Sequence, residues 1–296
     1  MGSPEEKVCV PLKNILVATD FSPASEAALP QAIKIAGQYG SNLYIAHVIC
    51  AELLHFLPAD STTTIIEDAR RLARQDMESY LGAASQKGVP CQPLIGEGVI
   101  WDVLRDMIRE NRIDLIVVGT RGRRGIGKLL LGSVTEEVFR LAPCPVLTVG
   151  PKTLPMRSRD VELSHVLYPL EFIPDTSLAA TYAVSLAEKY HARLAFMKVF
   201  EESVPAQELD SATAEPARHW VDDHVPVGSD LRKRTTFEPA FGPAADAILK
   251  FTTDRGVDLI VMGVQRFDPG ISAHLPKSDT AYEVVRAAPC PVLTVG

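Results

Sequence analysis

The chain has 296 residues, of which 46% are hydrophobic and 23% charged, and its formal net charge is −7 at pH 7. This length suits two domains of ordinary size, each with its own core, and the composition excludes a disordered or fibrous chain. The negative charge argues against general binding of nucleic acid or anionic membrane, because both require a basic surface.

In chain order, short apolar runs alternate with amphipathic stretches, which predicts βαβ units with helices on both faces of a parallel sheet. Ser22-Pro23 predicts a helix start, and Pro30 predicts a kink in that helix. Apolar residues from Ile65 to Ala84 recur every three or four positions and predict one long helix. The predicted strands of the first half, nearly continuous in apolar residues as buried strands are, span 12–19, 43–49, 92–95, 115–118 and 146–149.

The second half of the chain repeats the first. Residues 142–150, Ala-Pro-Cys-Pro-Val-Leu-Thr-Val-Gly, recur unchanged as 288–296, and the apolar segment 113–119 is matched by 257–263. The repeat predicts an α/β protein of two tandem, open, five-stranded parallel-sheet domains of Rossmann-like type. The predicted domains span 1–150 and 163–296, and a polar, proline-containing linker, 151–162, joins them.

The sequence also carries indications of its cellular setting. No apolar run approaches the roughly 20 residues of a membrane-spanning helix. The first seven residues, Met-Gly-Ser-Pro-Glu-Glu-Lys, lack the apolar stretch of a signal peptide, so we expect a cytoplasmic location without membrane association. Five cysteines, at 9, 50, 91, 144 and 290, form no Cys-x-x-Cys pair and are expected to be small buried side chains.

One segment concentrates residues suited to binding an anion. Gly119 to Ser133 contains five glycines and four basic residues. Glycines permit positive φ and close approach to a ligand, and backbone amides with basic side chains attract negative charge. A solvated basic loop would have the same composition, so composition alone does not distinguish it from an anion-binding loop. The stretch Gly122 to Lys128 also fits part of a P-loop, but Leu129 stands where Ser or Thr must hold Mg²⁺.

The spacing Gly119-x2-Gly122-x9-Gly132-Ser133, after a strand and before a helix, resembles the ATP-binding signature of the universal stress protein family. The resemblance extends through the chain, from the segment 15–22, Ile-Leu-Val-Ala-Thr-Asp-Phe-Ser, to the segment 143–147, Pro-Cys-Pro-Val-Leu. It implies a Rossmann-like, adenine nucleotide alpha hydrolase-like fold. It also implies that the first domain binds ATP, ADP or AMP, with or without Mg²⁺.

The resemblance assigns the nucleotide site to strand ends and to the glycine-rich segment. Asp20 would meet the nucleoside, with Ala18 and Thr19 beside it, and Val48 would line the adenine pocket. Ligands of open α/β sheets bind at this edge of the sheet, although Asp20 taken alone would also suit a turn or a helix cap. The residues that would border the ribose and phosphates, or supply charge, amides and a hydroxyl, are Val118, Gly119, Arg121, Gly122, Lys128, Gly132, Ser133 and Val134.

The second domain lacks this pattern. Pro169 and Glu171 stand where the first domain has Ala18 and Asp20, and Arg266 replaces Gly122. Either 278–279, Ser-Asp, or 276–277, Pro-Lys, replaces the Gly132-Ser133 pair, depending on the end from which the match is counted. Proline removes an amide donor, arginine blocks close approach and aspartate repels phosphate, so we expect no nucleotide there.

The favoured function is a cytoplasmic, ATP-binding stress-response regulator whose nucleotide alters protein partners or assembly. A slow ATPase or nucleotidyl transferase and a nucleotide-free scaffold stay open as alternatives. No catalytic set stands out in the sequence. One cluster of potential metal ligands is better explained by a solvated helix, and its members are His219, Asp222, Asp223 and His224.

The last predicted strand has the same sequence in both domains, 145–149 and 291–295. In the resembled family this edge strand forms the dimer by pairing with its equivalent. We therefore predict that the two copies pair within the chain as a built-in dimer, and that a homodimer would use other surfaces. Proline at Leu147 is expected to separate the domains or to cause aggregation.

Overall fold

The computed structural model describes residues 10–50, 59–120, 131–150, 153, 163–170, 177–200, 219–264 and 280–296. The chain divides into two compact units, Pro11–Pro151 and Lys152–Gly296, the latter together with Met1–Val10. We call them the first and second domain. Within the described part of the chain, no helix combines the length and apolar character needed to cross a bilayer.

The described strands of the first domain form a parallel sheet in the order β3-β2-β1-β4-β5. The strands are β1 Asn14–Ala18, β2 Asn42–Cys50, β3 Cys91–Gly98, β4 Leu115–Gly119 and β5 Val146–Val149. The helices are α1 Pro23–Glu26, α2 Ala28–Tyr39, α3 Ala59–Gln86, α4 Ile100–Glu110 and α5 Ser133–Leu141. Because β1 pairs with both β2 and β4, the strand order reverses beside β1, and a crevice forms at the carboxyl ends of these strands.

The second domain repeats this strand order, as β8-β7-β6-β9-β10. Its strands are β6 His165–Pro169, β7 Arg193–Phe200, β8 Thr235–Phe241, β9 Leu259–Gly263 and β10 Val292–Val295. Its helices are α6 Ser177–Lys189, α7 with described residues 219–224, α8 Ala244–Arg255 and α9 Thr280–Ala287, with a 3₁₀ helix at Asp230–Arg234. The predicted fold class, two tandem parallel-sheet α/β domains, is confirmed.

The central strands are buried because helices cover both faces of the sheet. Ile15, Leu16 and Val17 of β1 have no exposed surface, and every residue of β4 is buried. On one face, Leu16 packs in a cluster with Leu104 of α4. The sequences of strands buried on both faces are continuous apolar runs, which is why these strands could be predicted from the sequence.

The predicted kink at Pro30 is present as a break between two helices. α1 ends at Glu26 and α2 begins at Ala28. Pro30 has no amide to donate to the carbonyl of Glu26, and its ring would clash with that carbonyl in a continuous helix. As predicted, Ser22 is the N-cap of α1, and its side chain accepts a hydrogen bond from the amide of Ser25.

An aspartate in the repeated strand segment ties β4 to the start of β1. Asp114 Oδ2 accepts hydrogen bonds from the amides of Lys13 and Asn14, at 2.8 and 2.9 Å. In the second domain Asp258 Oδ2 accepts from the amides of residues 164–165, at 2.9 and 3.0 Å. This aspartate lies at the amino ends of the strands, away from the crevice, so its role in both domains is structural.

We expect Asp114→Ala and Asp258→Ala each to destabilise their own domain by about 1–2 kcal/mol. Asp114→Ala removes two charge-assisted hydrogen bonds, and Asp258→Ala removes three, because Ser164 Oγ also donates to Asp258 Oδ2 at 2.6 Å. Partial exposure lets water replace some of them. Hydrogen exchange of the β1 and β6 segments in denaturant measures each domain separately. Asp102→Ala is the control, because its ion pair with Arg105 is about half exposed and should contribute little. Equal destabilisation by all three changes would contradict the prediction.

His165 takes in the second domain the place that Asn14 has in the first. Its Nδ1 lies 3.3 Å from the carbonyl oxygen of Arg255. Burial, and then the charge of Arg193, lower the pKa of His165 below 6.5. The hydrogen bond to the Arg255 carbonyl and the charges of Asp258 and Glu238 raise it more weakly. In the folded state protonation is therefore disfavoured relative to the unfolded chain.

From this shift we expect the second domain to lose stability as the pH falls below about 6.5, because the unfolded chain then binds the proton more readily. His165→Asn should flatten the pH dependence between about pH 7 and 5. Asparagine suits the position because Asn14 Nδ2 donates to a carbonyl oxygen, that of Arg112, at 3.2 Å. Thermal denaturation against pH, with the exposed His219→Asn as control, measures the effect. An equal flattening by the control would count against His165.

Candidate functional site

A cavity of about 710 Å³ lies in the first domain, at the carboxyl ends of β1, β2 and β4. Its walls come from these strand ends, from α3 and from the first turns of α4 and α5. Nine of the residues predicted for the nucleotide site line it, namely Ala18, Thr19, Asp20, Val48, Val118, Gly119, Gly132, Ser133 and Val134. The other three, Arg121, Gly122 and Lys128, lie outside the described residues.

The first turn of α5 forms one end of the cavity. Gly132 is the N-cap, and its amide donates to the carbonyl oxygen of Thr120 at 3.0 Å. Thr135 Oγ1 donates to the carbonyl oxygen of Gly119 at 2.7 Å, which fixes the helix start against the end of β4. The positive end of the α5 dipole therefore faces the cavity, where it favours a negatively charged group.

The conformation of Gly132 differs from the expectation of positive φ. Its φ is −65° and its ψ is 148°, an extended conformation that any residue can adopt. The expectation was therefore wrong for Gly132, which lines the cavity in an extended conformation. Gly122, for which the same was expected, lies outside the described residues.

Asp20 combines a turn role with a place in the cavity wall. Its Oδ1 accepts a hydrogen bond from the amide of Ser22 at 3.1 Å, and the residue is half-buried. The N-cap of α1 is Ser22 and not Asp20. The turn that was predicted as an alternative role of Asp20 is thus present. It holds the carboxylate at the end of β1, beside the cavity.

Buried hydroxyl groups surround the turn after β1. Thr19 Oγ1 forms hydrogen bonds with Ser25 Oγ at 3.0 Å and with Tyr80 Oη at 3.2 Å. Thr19 Oγ1 also accepts a hydrogen bond from the amide of Phe21 at 2.9 Å. Burial is the main cause that raises the pKa of Tyr80, and its hydrogen bond to Thr19 opposes this more weakly. We call Thr19, Ser22, Ser25 and Tyr80 the hydroxyl cluster.

Sequence reasoning missed Tyr80 and His47 as parts of this site. Tyr80 appeared only as one apolar residue of a long helix, although a buried tyrosine usually needs a partner for its hydroxyl. His47 lines the cavity, and its Nδ1 lies 2.9 Å from the carbonyl oxygen of Thr19. Because a carbonyl oxygen only accepts, Nδ1 of His47 carries the proton.

The rest of the cavity wall is mainly apolar. Ile100, Leu104 and Val134 line one side, and Ala69 and Leu72 of α3 line the other. Leu72 is 51% exposed, which is unusual for a large apolar side chain on a helix that packs against a sheet. The described lining thus offers a surface for a flat apolar group next to the polar turn and the α5 terminus.

The cysteines only partly follow the expectation of small buried side chains. Cys144 and Cys290 are buried, and burial raises the pKa of the Cys290 thiol to about 12. Cys50 and Cys91 are half-buried, so the expectation was wrong for them. Burial raises the pKa of the Cys91 thiol to about 11, whereas Cys50 lines the cavity at the end of β2. Cys9 lies outside the described residues.

The corresponding strand ends of the second domain carry different groups. The amide of Leu170 donates to Met197 O at 2.7 Å, as the amide of Thr19 donates to Ala46 O at 2.9 Å. Leu170 therefore occupies the place of Thr19, and Pro169 that of Ala18. Nearby, the Trp220 ring stacks on Phe196 with 4.6 Å between centroids. The other substituted positions, Glu171, Arg266 and 276–279, lie outside the described residues.

The histidines and aspartates of α7 have other partners. His219 Nε2 lies 3.3 Å from Asp223 Oδ2, and Asp222 pairs with Arg232 at 2.7 Å. His224 Nδ1 lies 2.9 Å from the carbonyl oxygen of Trp220. Across the ranges that the structure describes, no group of three or more His, Cys, Asp or Glu residues is placed to hold a metal ion.

A parallel sheet in this order, with a cavity where the order reverses, defines a Rossmann-like α/β fold. The model of the universal stress protein family matches residues 11–150 and again residues 162–296. The chain therefore belongs to the universal stress protein family and carries two tandem copies of its domain.

Relatives and solved structures agree with this assignment. A universal stress protein of Methanocaldococcus jannaschii is 33% identical over 138 residues, which cover 46% of this chain and 81% of the relative. One from Bacillus subtilis is 30% identical over 143 residues, covering 46% of this chain and 97% of the relative. The crystal structure of a universal stress protein from Archaeoglobus fulgidus shares the fold over 95% of this chain and 97% of its own, with 18% identity and a TM-score of 0.67.

Proposed function

We propose that the first domain binds one adenine nucleotide, ATP in the first place, in the cavity at the ends of β1, β2 and β4. The nucleotide state then regulates how the chain engages protein partners in a stress response. One observation carries the proposal: residues from four separate segments, selected from the family's nucleotide motif, line the same cavity. The topology alone brings the ends of β1, β2 and β4 together, whereas the lining residues Gly132, Ser133 and Val134 come from the start of α5.

The cavity offers each part of the nucleotide a suitable surface. The apolar side chains of Ile100, Leu104 and Val134 suit the faces of the base. The Asp20 carboxylate suits a ribose hydroxyl as a hydrogen-bond acceptor. The amides at the start of α5 suit phosphate oxygens, and a helix N-terminus favours their negative charge.

The charge of the triphosphate requires further positive groups. The carboxylates of the described lining, Asp20 and Asp76, would repel phosphate if they lay beside it. The segment 121–130 supplies four basic residues by sequence, and in the chain it lies between Gly119 and Leu131, both of which line the cavity. Mg²⁺, if it accompanies ATP, would then be held largely by the phosphates and water.

The second domain is proposed to bind no nucleotide in this manner. Pro169 has no amide donor, and Leu170 has no hydroxyl in the place of Thr19. We therefore expect one nucleotide per chain, bound to the first domain.

Native mass spectrometry of the purified chain, with and without added ATP, tests the proposal directly. We expect a mass increase of one adenine nucleotide per chain, and calorimetry should give a stoichiometry of one. A chain that binds no ATP, ADP or AMP would contradict the proposal. Two nucleotides per chain would contradict the assignment of the second domain.

Thiol alkylation locates the site independently, because Cys50 lines the cavity. In a Cys9→Ser chain, bound ATP should slow the alkylation of Cys50 and leave Cys91 unaffected. Cys91 is an internal reference whose reaction is slow near neutral pH, since its raised pKa leaves little thiolate. Alkylation of Cys50 at the same rate with and without saturating ATP would place the ligand elsewhere.

A further inference from the structure

Phe21 follows Asp20 with a backbone conformation that is rare for its residue type. Its φ is +57°, in the left-handed region, where a side chain costs conformational free energy and glycine does not. Such residues persist where their surroundings hold them, and they concentrate at functional sites. A phenylalanine at this position therefore needs contacts that glycine could not make.

Two rings hold the phenyl group of Phe21. The His47 ring of β2 lies 4.6 Å from it between centroids, in a tilted arrangement. The Tyr80 ring of α3 lies 5.4 Å from it, edge to face. His47 is itself held through the hydrogen bond between its Nδ1 and the carbonyl oxygen of Thr19. The phenyl ring thus joins the turn to a neighbouring strand and to a 28-residue helix.

The backbone of the turn is held from within. The amide of Phe21 donates to Thr19 Oγ1, and the amide of Ser22 donates to Asp20 Oδ1. All four members of the hydroxyl cluster are buried, with between 4% and 7% of their surface exposed. Buried, mutually satisfied polar groups of this kind hold a rigid local structure. Asp20, which directly precedes the left-handed residue, lines the cavity.

We propose that Phe21 is a positioning residue for the nucleotide site, an inference that rests on the proposed function. Its ring, wedged between His47 and Tyr80, fixes the left-handed turn and thereby holds the Asp20 carboxylate where it accepts a hydrogen bond from the nucleoside. Thr19 acts with it, because its hydroxyl accepts the Phe21 amide and contacts Tyr80.

The second domain forms the same sheet without two of the groups that surround Phe21 in the first. Leu170 stands in the place of Thr19 and has no hydroxyl. Pro169 pairs with Met197 in the sheet, as Ala18 pairs with Ala46, so Lys198 stands in the place of His47. The same parallel sheet forms there without these groups. The sheet therefore does not require Thr19 or His47, and Phe172, which takes the place of Phe21 in the sequence, lies outside the described residues.

The test measures ATP affinity by calorimetry in Phe21→Leu and Thr19→Val, two changes that keep apolar bulk and remove the ring or the hydroxyl. Each should weaken binding about tenfold, in the range of measured coupling energies. Phe251→Leu, the same change in α8 of the second domain, is the matched control and should leave the affinity unchanged. Wild-type affinity in both first-domain variants would overturn the proposal.

A double-mutant cycle separates positioning from a general structural role. If Phe21 acts through Asp20, then Phe21→Leu should have almost no further effect on affinity in an Asp20→Ala chain. An undiminished tenfold loss in that background would overturn the proposal, because Phe21 would then act on the ligand by another route.

Hydrogen exchange of the ligand-free protein tests the role of Phe21 without depending on nucleotide binding. Phe21→Leu and Thr19→Val should accelerate exchange of residues 20–22 and leave α8 unchanged. If wild type binds no nucleotide, the proposed function fails while accelerated exchange still supports the fixing of the turn. Unchanged exchange in both variants would overturn the role of Phe21 whether or not nucleotide binds.

Discussion

Gly132→Val is expected to weaken ATP binding at least about 100-fold, which corresponds to about 2.7 kcal/mol. Gly132 lines the cavity at the first turn of α5, where the phosphates are proposed to meet backbone amides. A branched side chain there would occupy the space of the ligand. Because the φ of Gly132 is −65°, valine can adopt this conformation, and we expect the stability to change by less than about 1 kcal/mol.

Calorimetry and thermal denaturation of the same preparations separate these two effects. Gly82→Val is the matched control, because a Cβ at Gly82 meets nothing within 4 Å and the residue lies outside the cavity lining. Gly132→Ala should give an intermediate loss, since a single methyl group fills less space. Full ATP affinity in a folded Gly132→Val protein would remove Gly132 from the site.

The sequence predicted the fold well where burial leaves a strong pattern. β1, β4 and β5 are buried on both faces, and their apolar runs were recognised within about two residues at either end. β3 was predicted too short, as 92–95, although it extends to Gly98. Its polar and glycine residues interrupt the pattern. Glycine is required at position 96, because α4 packs against it so closely that a Cβ would collide with Val103.

One short motif and the strand ends were enough to predict part of the cavity lining. The glycine spacing led to Gly119, Gly132 and Ser133, and the strand ends led to Asp20 and Val48, all of which line one cavity. That these residues bind a nucleotide stays a prediction until binding is measured.

What the sequence did not reveal are contacts between distant segments. Phe21, His47 and Tyr80 come from a turn, a strand and a helix, and no local spacing relates them. Their meeting depends on which helix packs over which strand. The predicted pairing of the two terminal strands also stays a prediction, and so does the absence of nucleotide from the second domain.

Leu147→Pro is expected to destabilise the first domain by about 3–6 kcal/mol, a large part of the 5–15 kcal/mol of a typical domain. Ile116 pairs with Val146, and its amide donates to the carbonyl oxygen of Pro145. In a parallel ladder the amide of Leu147 then donates back to Ile116. Proline deletes this bond, at about 1–3 kcal/mol. It also removes a side chain that is only 3% exposed, at about 1.5–3 kcal/mol.

Leu147→Pro therefore tests the stability of the first domain before it tests the pairing of the two terminal strands. The amide of Leu147 belongs to the β4–β5 ladder, so proline there first breaks the sheet of its own domain, and aggregation would follow from its unfolding. Leu293→Pro is the matched change, because Leu293 pairs with Val261 and the amide of Ile260 donates to Pro291 in the same way. Hydrogen exchange of β1 should rise first in Leu147→Pro, and that of β6 first in Leu293→Pro. A Leu147→Pro chain that opens at β6 before β1 would contradict this assignment, because the lost hydrogen bond lies in the first domain.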